Sequence, residues 1–357
     1  MEIRSLGEDA YFAASNSARG FFSYYGECFD APRIRRLYAV KGGPGTGKSR
    51  FLREVAQYGE KRGWRCEYVY CSSDPDSLDG IVLEKGDDCI ALIDATSPHA
   101  YEPTHPGFRE EIVNLGAFWN WHKLADSAER IEELNKQKGE CYRRAYRYLS
   151  GVGDMVKTRD ALVAPYVKRD AIRHLAGKLM QAVPNGEGFS SSPALIHSVG
   201  MRGEVGFDTY FAMAKHILRI EDCKGSAAYL MEALGEEAVR KGLKVRLSHD
   251  PILPDRLDGL FLCQSGVAFV VCPAEECSYP HRQVRMRRFV DVGGMKKIRE
   301  DVNYAERVKR ALLGGALDAL EQVRRIHFEV EEIYATAMDF PAKEAFTKEF
   351  CASLLGM

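Results

Sequence analysis

One chain writes nearly the same six residues twice, PDSLDG at 75–80 and PDRLDG at 254–259. The echo lies inside a longer correspondence. KRGWRCEYVYCSSDPDSLDGIVL (61–83) lies over RKGLKVRLSHDPILPDRLDGLFL (240–262), with Asp79 over Asp258, an offset of 179 residues. VNLGA (113–117) lies over VDVGG (290–294) and AERI (128–131) over AERV (305–308), both at an offset of 177. Matches that keep one order and nearly one offset restrict the chain to two related units in tandem, each the size of a domain. The boundaries follow. A first unit is expected over 1–183, a linker over 184–193 within the Pro-, Gly- and Ser-rich QAVPNGEGFSSSP, and a second unit over 194–357.

In the first unit a short strand near Tyr11–Ala14 and a helix around Ala18–Phe29 are expected ahead of RLYAV (36–40), an apolar strand. A glycine-rich turn and the helix SRFLREVAQYGEKRG follow, then the strands CEYVYC (66–71), IVL (81–83) and CIALID (89–94). Strand, helix, strand in this order predicts an α/β layer with some parallel pairing. The rest of each unit is helical in period. Ile131, Leu134, Cys141, Ala145 and Tyr148 recur at helical spacing, as do Val308, Leu312, Leu320, Val323 and Val330. Helical hairpins over 120–183 and 296–357 satisfy that pattern, whether packed on a neighbouring element or gripping a protein partner.

LYAVKGGPGTGKSRFL (37–52) contains GxxxxGK[ST], from Gly42 to Ser49, between an apolar strand and an amphipathic helix. Glycines let backbone N–H groups curl round a phosphate, and a helix N-terminus adds partial positive charge. Gly42, Gly43, Pro44, Gly45, Thr46, Gly47, Lys48, Ser49 and Arg50 are therefore the candidate nucleotide-binding residues. Lys48 would reach the β- and γ-phosphates, and Ser49 would ligate Mg²⁺. Such a site needs a carboxylate for the metal at the end of a neighbouring buried strand, and CIALID supplies Asp94. For the group that orients a water or an acceptor hydroxyl, Asp74, Asp76, His99 and Glu102 compete. Asp74 and His99 lead because both follow strand ends. Asp76 and Asp79 have counterparts, Asp255 and Asp258, which assigns them to turn-making; Asp74 lies over Leu253 and is the carboxylate reserved for the nucleotide.

At the matching place the second unit reads HILRIEDCKGSAAYLMEAL (216–234), with Val40 over Ile220 and Phe51 over Tyr229. Its loop is two residues shorter, has no Lys–Ser pair, and puts Glu221 and Asp222 where phosphates would lie. VAFVV replaces CIALID, without a terminal Asp. One nucleotide site, in the first unit, is expected. The densest basic stretches, RIRRL (33–37) and HRQVRMRRF (281–289), are either solvated surface or the source of an arginine that completes that site from across an interface.

Together KGGPGTGKS, CSSDPDSLDG, the Asp94 strand with Thr96, Pro98 and His99 after it, and EEIVNLG resemble an uncharacterised bacterial family of tandem P-loop ATPases. That family, chiefly of spore-forming Firmicutes, is described as nucleotide-kinase-like. The resemblance covers most of the first unit and, more loosely, the second. It implies ATP binding and a cytoplasmic setting. Such proteins tend to carry a P-loop in each half, and the altered loop near 220–230 departs from that.

The fold class expected is thus α/β: a P-loop NTPase-type sheet with flanking helices, tandemly duplicated, each copy followed by a helical hairpin. A Mg²⁺-dependent ATPase with one site and a regulatory or site-completing second unit leads. A kinase acting on a nucleotide or small acceptor and a non-enzymatic, nucleotide-gated binding module are the alternatives. The 50 Lys and Arg balance the 51 Asp and Glu, so nothing demands nucleic acid or an anionic membrane as partner. No signal peptide or membrane span is read in the chain, and its ten cysteines are read as reduced thiols. Cys263, Cys272, Cys277 and His281 lack the tight CxxC knuckle of a structural zinc site.

Overall fold

The computed structural model describes residues 1–7, 9–29, 32–98, 101–272 and 279–355. The first half builds β1 (Glu2–Arg4), β2 (Asp9–Phe12), β3 (Ala14–Ser17), β4 (Gly20–Ser23), α1 (Tyr25–Phe29), β5 (Arg36–Lys41), α2 (Lys48–Glu60), β6 (Arg65–Tyr70), β7 (Leu78–Lys85), β8 (Asp88–Asp94) and β9 (Glu110–Asn114). Then come α3 (Trp121–Ala125), the long α4 (Ala128–Val163) and α5 (Arg169–Met180). The second half builds β10 (Ser190–Pro193), β11 (His197–Gly200), β12 (Gly203–Phe207), α6 (Thr209–Met213), β13 (His216–Glu221), α7 (Ala227–Arg240), β14 (Lys244–His249), β15 (Leu257–Leu262), β16 (Val267–Val271) and β17 (Arg282–Arg285). The long α8 (Arg299–Thr336) and α9 (Phe340–Leu355) close it.

The architecture is mixed α/β, with two six-stranded sheets ordered β2-β6-β7-β8-β5-β9 and β10-β14-β15-β16-β13-β17. The two orders correspond strand for strand. So do the senses: β7 and β15 run antiparallel to both neighbours, and the other pairs are parallel. Each sheet slips register at one place, between Val69 and Tyr70 and between Ser248 and His249. β8 is buried from Cys89 to Asp94 because helices cover the sheet, which explains its unbroken apolar run.

The helix expected over Ala18–Phe29 does not form. Ser17 Oγ accepts the Arg19 N–H and donates to the Gly20 carbonyl, and Gly20 turns the chain at φ 89°. That tight turn closes the β3–β4 hairpin, and only Tyr25–Phe29 is helical. Two of the sequence matches also fall out of register. Trp119 bridges to Met338 and Val167 to Val290. At the first bridge Asn120 N–H donates to Ala337 O at 2.8 Å and Asp339 N–H to Phe118 O at 2.9 Å. At the second, Lys168 N–H donates to Phe289 O and Asp291 N–H to Tyr166 O, both at 2.8 Å. Trp119 thus corresponds to Val290 and Val167 to Met338, an offset of 171 residues. AERI opens α4, but AERV begins six residues into α8, so the matches at 177 do not mark corresponding places in the two halves.

α4 and α8 lie antiparallel along each other. Tyr148 packs on Gly315 and Leu312 on Gly151, while Ala145, Leu149, Ala316, Ala319 and Leu320 share one buried cluster. The helices that follow them then cross over. α5 buries Ile172, Ala176 and Met180 with Leu230, Met231 and Leu234 of α7. α9 lays Phe346 and Phe350 on Phe51 of α2, ring centroids 6.3 and 5.3 Å apart. Each sheet is therefore covered by the terminal helix that follows the other sheet in sequence, and Phe51, fully buried there, contributes roughly 1.5–3 kcal/mol. Among the described residues no helix is long and apolar enough to cross a membrane.

Candidate functional site

The glycine-rich loop leaves β5 and winds onto the N-terminus of α2. Gly45 and Gly47 sit at φ 70° and 74°, the left-handed region that costs glycine nothing. A β-carbon on Gly45 would also lie 2.6 Å from the backbone oxygen of Glu331, so α8 packs on the loop itself. Gly47, at the N-cap of α2, brings no side chain to its first-turn N–H groups. Inside the loop Lys48 Nζ donates to the carbonyls of Gly42 (2.7 Å) and Gly43 (2.9 Å) and stands 3.5 Å from Asp94 Oδ2.

Asp94 ends β8 next to β5, paired with Val40. Its Oδ1 accepts the Thr96 N–H at 2.9 Å and the Thr96 hydroxyl. Burial raises the Asp94 carboxyl above its usual range and the neighbouring Asp79 adds to this, against the pull of Lys48 and Thr96. Asp79 lies one step beyond the cross-strand pair Gly80–Ile93, which sets it opposite Asp94. Side chains so placed share one face of the sheet. Ser49 Oγ accepts the Leu78 N–H at 2.9 Å and keeps a second lone pair.

These groups open into one cavity of about 750 Å³. Its floor is the loop with Asp74, Asp79 and Asp94; its far wall carries Lys138, Tyr142 and Tyr146 from α4 and His327, Glu331 and Tyr334 from α8. Burial pushes the Asp74 carboxyl up and holds the Lys138 ammonium below its usual range. Burial acts against ionised Glu331 too, but the His327 ring 3.5 Å away outweighs it and brings the carboxyl down.

The structure gathers most of the residues that the sequence singled out. Gly43, Pro44, Gly45, Thr46, Gly47, Lys48, Ser49, Asp74 and Asp94 line the cavity, and Gly42 backs it by accepting from Lys48. Arg50 stays outside, bridging Glu54 (2.8 Å) and Glu344 of α9 (3.0 Å). Glu102 pairs with Lys41 at 2.7 Å, and Asp76 pairs with Arg4 at 2.6 Å and Arg202 at 2.5 Å. His99 and Cys277 lie outside the described residues. Neither basic stretch contributes an arginine to the cavity. Arg33 pairs with Glu67, Arg35 with Asp88, Arg36 with Glu111 and Arg285 with Glu221. From the α4–α8 wall, Lys138 and His327 bring basic side chains into the cavity. Sequence reasoning missed Asp79, whose signal was its place beside the Asp94 strand, and the α8 residues, whose one local signal was the i,i+4 pair His327–Glu331. Among the described residues no group of three or more His, Cys, Asp or Glu could hold a metal by itself.

The matching loop of the second half holds its own anion. Asp222 accepts the N–H groups of Gly225 and Ala227, both at 2.8 Å, where α7 begins. Val271 pairs with Ile220 where Asp94 pairs with Val40, so that strand ends without a carboxylate. Asp258, the counterpart of Asp79, is buried against His197 Nδ1 at 2.7 Å. Asp222→Ala removes a helix cap and is expected to lower the stability of the fold by ~1 kcal/mol in a urea titration. An unchanged midpoint would show that those N–H groups do not need the carboxylate. Comparison with protein-family models, curated proteins and solved structures finds no match to this chain, so the site is read from its own geometry.

Proposed function

We propose that the chain is a tandemly duplicated P-loop nucleoside triphosphatase that binds ATP with Mg²⁺ at one site, in its first half. The observation that carries this reading is the loop itself. Positive-φ glycines wrap the uncapped start of α2, with Lys48 inside and Asp94 3.5 Å away. Backbone N–H groups, a helix N-terminus and an ammonium converging on one point suit a phosphate chain. The strand-for-strand agreement of the two sheets supports the duplication. Asp222, in the place of a phosphate, supports a single site.

The residues present fit a divalent cation bound together with the nucleotide. Ser49 Oγ and Asp94 would hold it, and when bound it would neutralise charge on the β- and γ-phosphates. Lys48 steadies the β- and γ-phosphates. Asp74, its carboxyl raised by burial, takes a proton from the attacking water. The α4–α8 wall excludes bulk water, and Lys138 and His327 face the charge that develops. Because α8 belongs to the second half, turnover would be felt by both halves. The nine described cysteines are thiols and not disulfides, which suits the cytoplasm.

The second reading is phosphoryl transfer to an organic hydroxyl. It is favoured by the aromatic far wall of Tyr142 and Tyr146, which leaves more room than a water needs. The test supplies ATP and Mg²⁺ and measures free phosphate and phosphorylated acceptor, with Asp94→Asn alongside. Turnover is expected to fall by roughly 10²-fold or more in that variant, with one nucleotide bound per wild-type chain. Undiminished turnover would refute the assignment of Asp94. Phosphate found only on an added acceptor would select the kinase.

A further inference from the structure

Lys343 lies on α9 and is 1% exposed, a rare place for a lysine. Among the described residues its ammonium makes no ion pair or hydrogen bond; the nearby carboxylates of Glu54 and Glu344 are both engaged by Arg50. A lysine side chain packed this deeply with no partner for its ammonium costs free energy that a bound anion would offset. The neighbour of Lys343 is the glycine-rich loop. A β-carbon built on Gly47 would lie 3.8 Å from Lys343 Nζ and 4.0 Å from Cε1 of Phe340, whose ring is 37% exposed.

The other half supplies a comparison within the same molecule. Five residues after the bridge at Met338 stands Lys343; five residues after the bridge at Val167 stands Ile172, buried in an apolar cluster. The same place on the same packed helix is a lysine where the loop is open and an isoleucine where Asp222 fills it. Arg169 corresponds to Phe340 and is spent on the Tyr229 ring, 4.8 Å from its centroid.

We infer that Lys343 is a second cation for the phosphate chain of the nucleotide, with Phe340, one turn earlier, presenting its ring to the base. This rests on the reading of the loop as a nucleotide site. The last helix of the chain then completes a site that begins in its first fifty residues, and charge recognition is shared between Lys48 inside the loop and Lys343 behind it.

Titration calorimetry of the full chain with ATP and with inorganic triphosphate, each with Mg²⁺, tests this. Lys343→Met keeps the volume and removes the charge. It is expected to weaken both ligands about tenfold or more, to flatten the salt dependence of ATP binding, and to leave the urea midpoint unchanged or raised. Phe340→Ala is expected to weaken ATP and spare inorganic triphosphate. Wild-type affinity in Lys343→Met, alongside lost binding in Lys48→Ala, overturns the inference while the loop reading stands. Weakened binding with unchanged salt dependence and a lowered midpoint marks a packing role and also overturns it. Absence of ATP binding by the wild type overturns both.

Discussion

Lys48→Ala is expected to abolish turnover of ATP and to lower its affinity more than any other single change in the loop. The ammonium is the one charged side chain seated within the turn, held by the carbonyls of Gly42 and Gly43 at 2.7 and 2.9 Å. It is therefore already in place when a phosphate arrives, which makes its interaction strong and its loss expensive. Removing one such donor costs ~10²–10³ in rate. The loop should keep its course, because the glycine dihedrals and the packing of Gly45 on α8 do not depend on the side chain of Lys48. Phosphate release and ATP titration on a variant with an unchanged melting curve check this. Equal activity in the two proteins would remove the glycine-rich loop from the chemistry altogether.

The second large effect concerns stability. Glu67 on β6 is 2% exposed and takes Arg246 of β14 at 2.7 Å, Arg33 at 3.1 Å and the Tyr11 hydroxyl at 3.1 Å. Asp9 takes the other side of Arg246 at 2.6 Å. Glu67→Gln leaves the buried Arg246 guanidinium with Asp9 as its remaining carboxylate, a loss that approaches but stays below the ~3–5 kcal/mol of a fully broken buried pair. The pH dependence has a definite sign. Burial alone would raise the Glu67 carboxyl, but Arg246 and Arg33 outweigh it and hold it at about 2, from an ordinary 4.5. A depressed carboxyl gives stability that is whole above pH 4.5 and is lost as pH falls through 2. Urea titrations should therefore separate wild type and Glu67→Gln at neutral pH and bring them together in acid. A gap that ignores pH would show that the carboxylate is not ionised in the fold. Glu67 and Arg246 also hold corresponding places, 179 residues apart, in the two halves. A pairing of two like halves would set glutamate against glutamate or arginine against arginine, so the opposite charges select the pairing within the chain.

What the sequence disclosed and what it withheld divide along physical lines. The loop from Gly42 to Ser49 was legible because its dihedrals, its lysine and its helix start are all set within eight consecutive residues. Asp94 was legible because a buried strand writes an apolar run that ends where the sheet meets the cavity. Asp79 was misread as a turn residue on the strength of its counterpart Asp258. The second half keeps its carboxylate for a different partner, His197, while Asp79 faces Asp94 across the strand pair. The hairpin at Ala14–Ser23 escaped because one glycine and one serine hydroxyl decide it. Nothing local announces that α8 covers the loop or that α9 lands on α2. Those contacts join residues nearly three hundred positions apart, and each helix taken alone shows only its period.

The crossing of the terminal helices sets a timetable. α2 leaves the ribosome nearly three hundred residues ahead of α9, the helix that covers it. At ~5–20 residues per second, roughly a quarter-minute to a minute separates the synthesis of Lys48 from that of Lys343. During that interval Phe51 has no partner from α9, and the wall that α8 contributes does not yet exist. A chain cut short between Ser49 and the start of α8 would carry the whole loop sequence and an unfinished pocket. The loop and the helices that enclose it thus become available far apart in time.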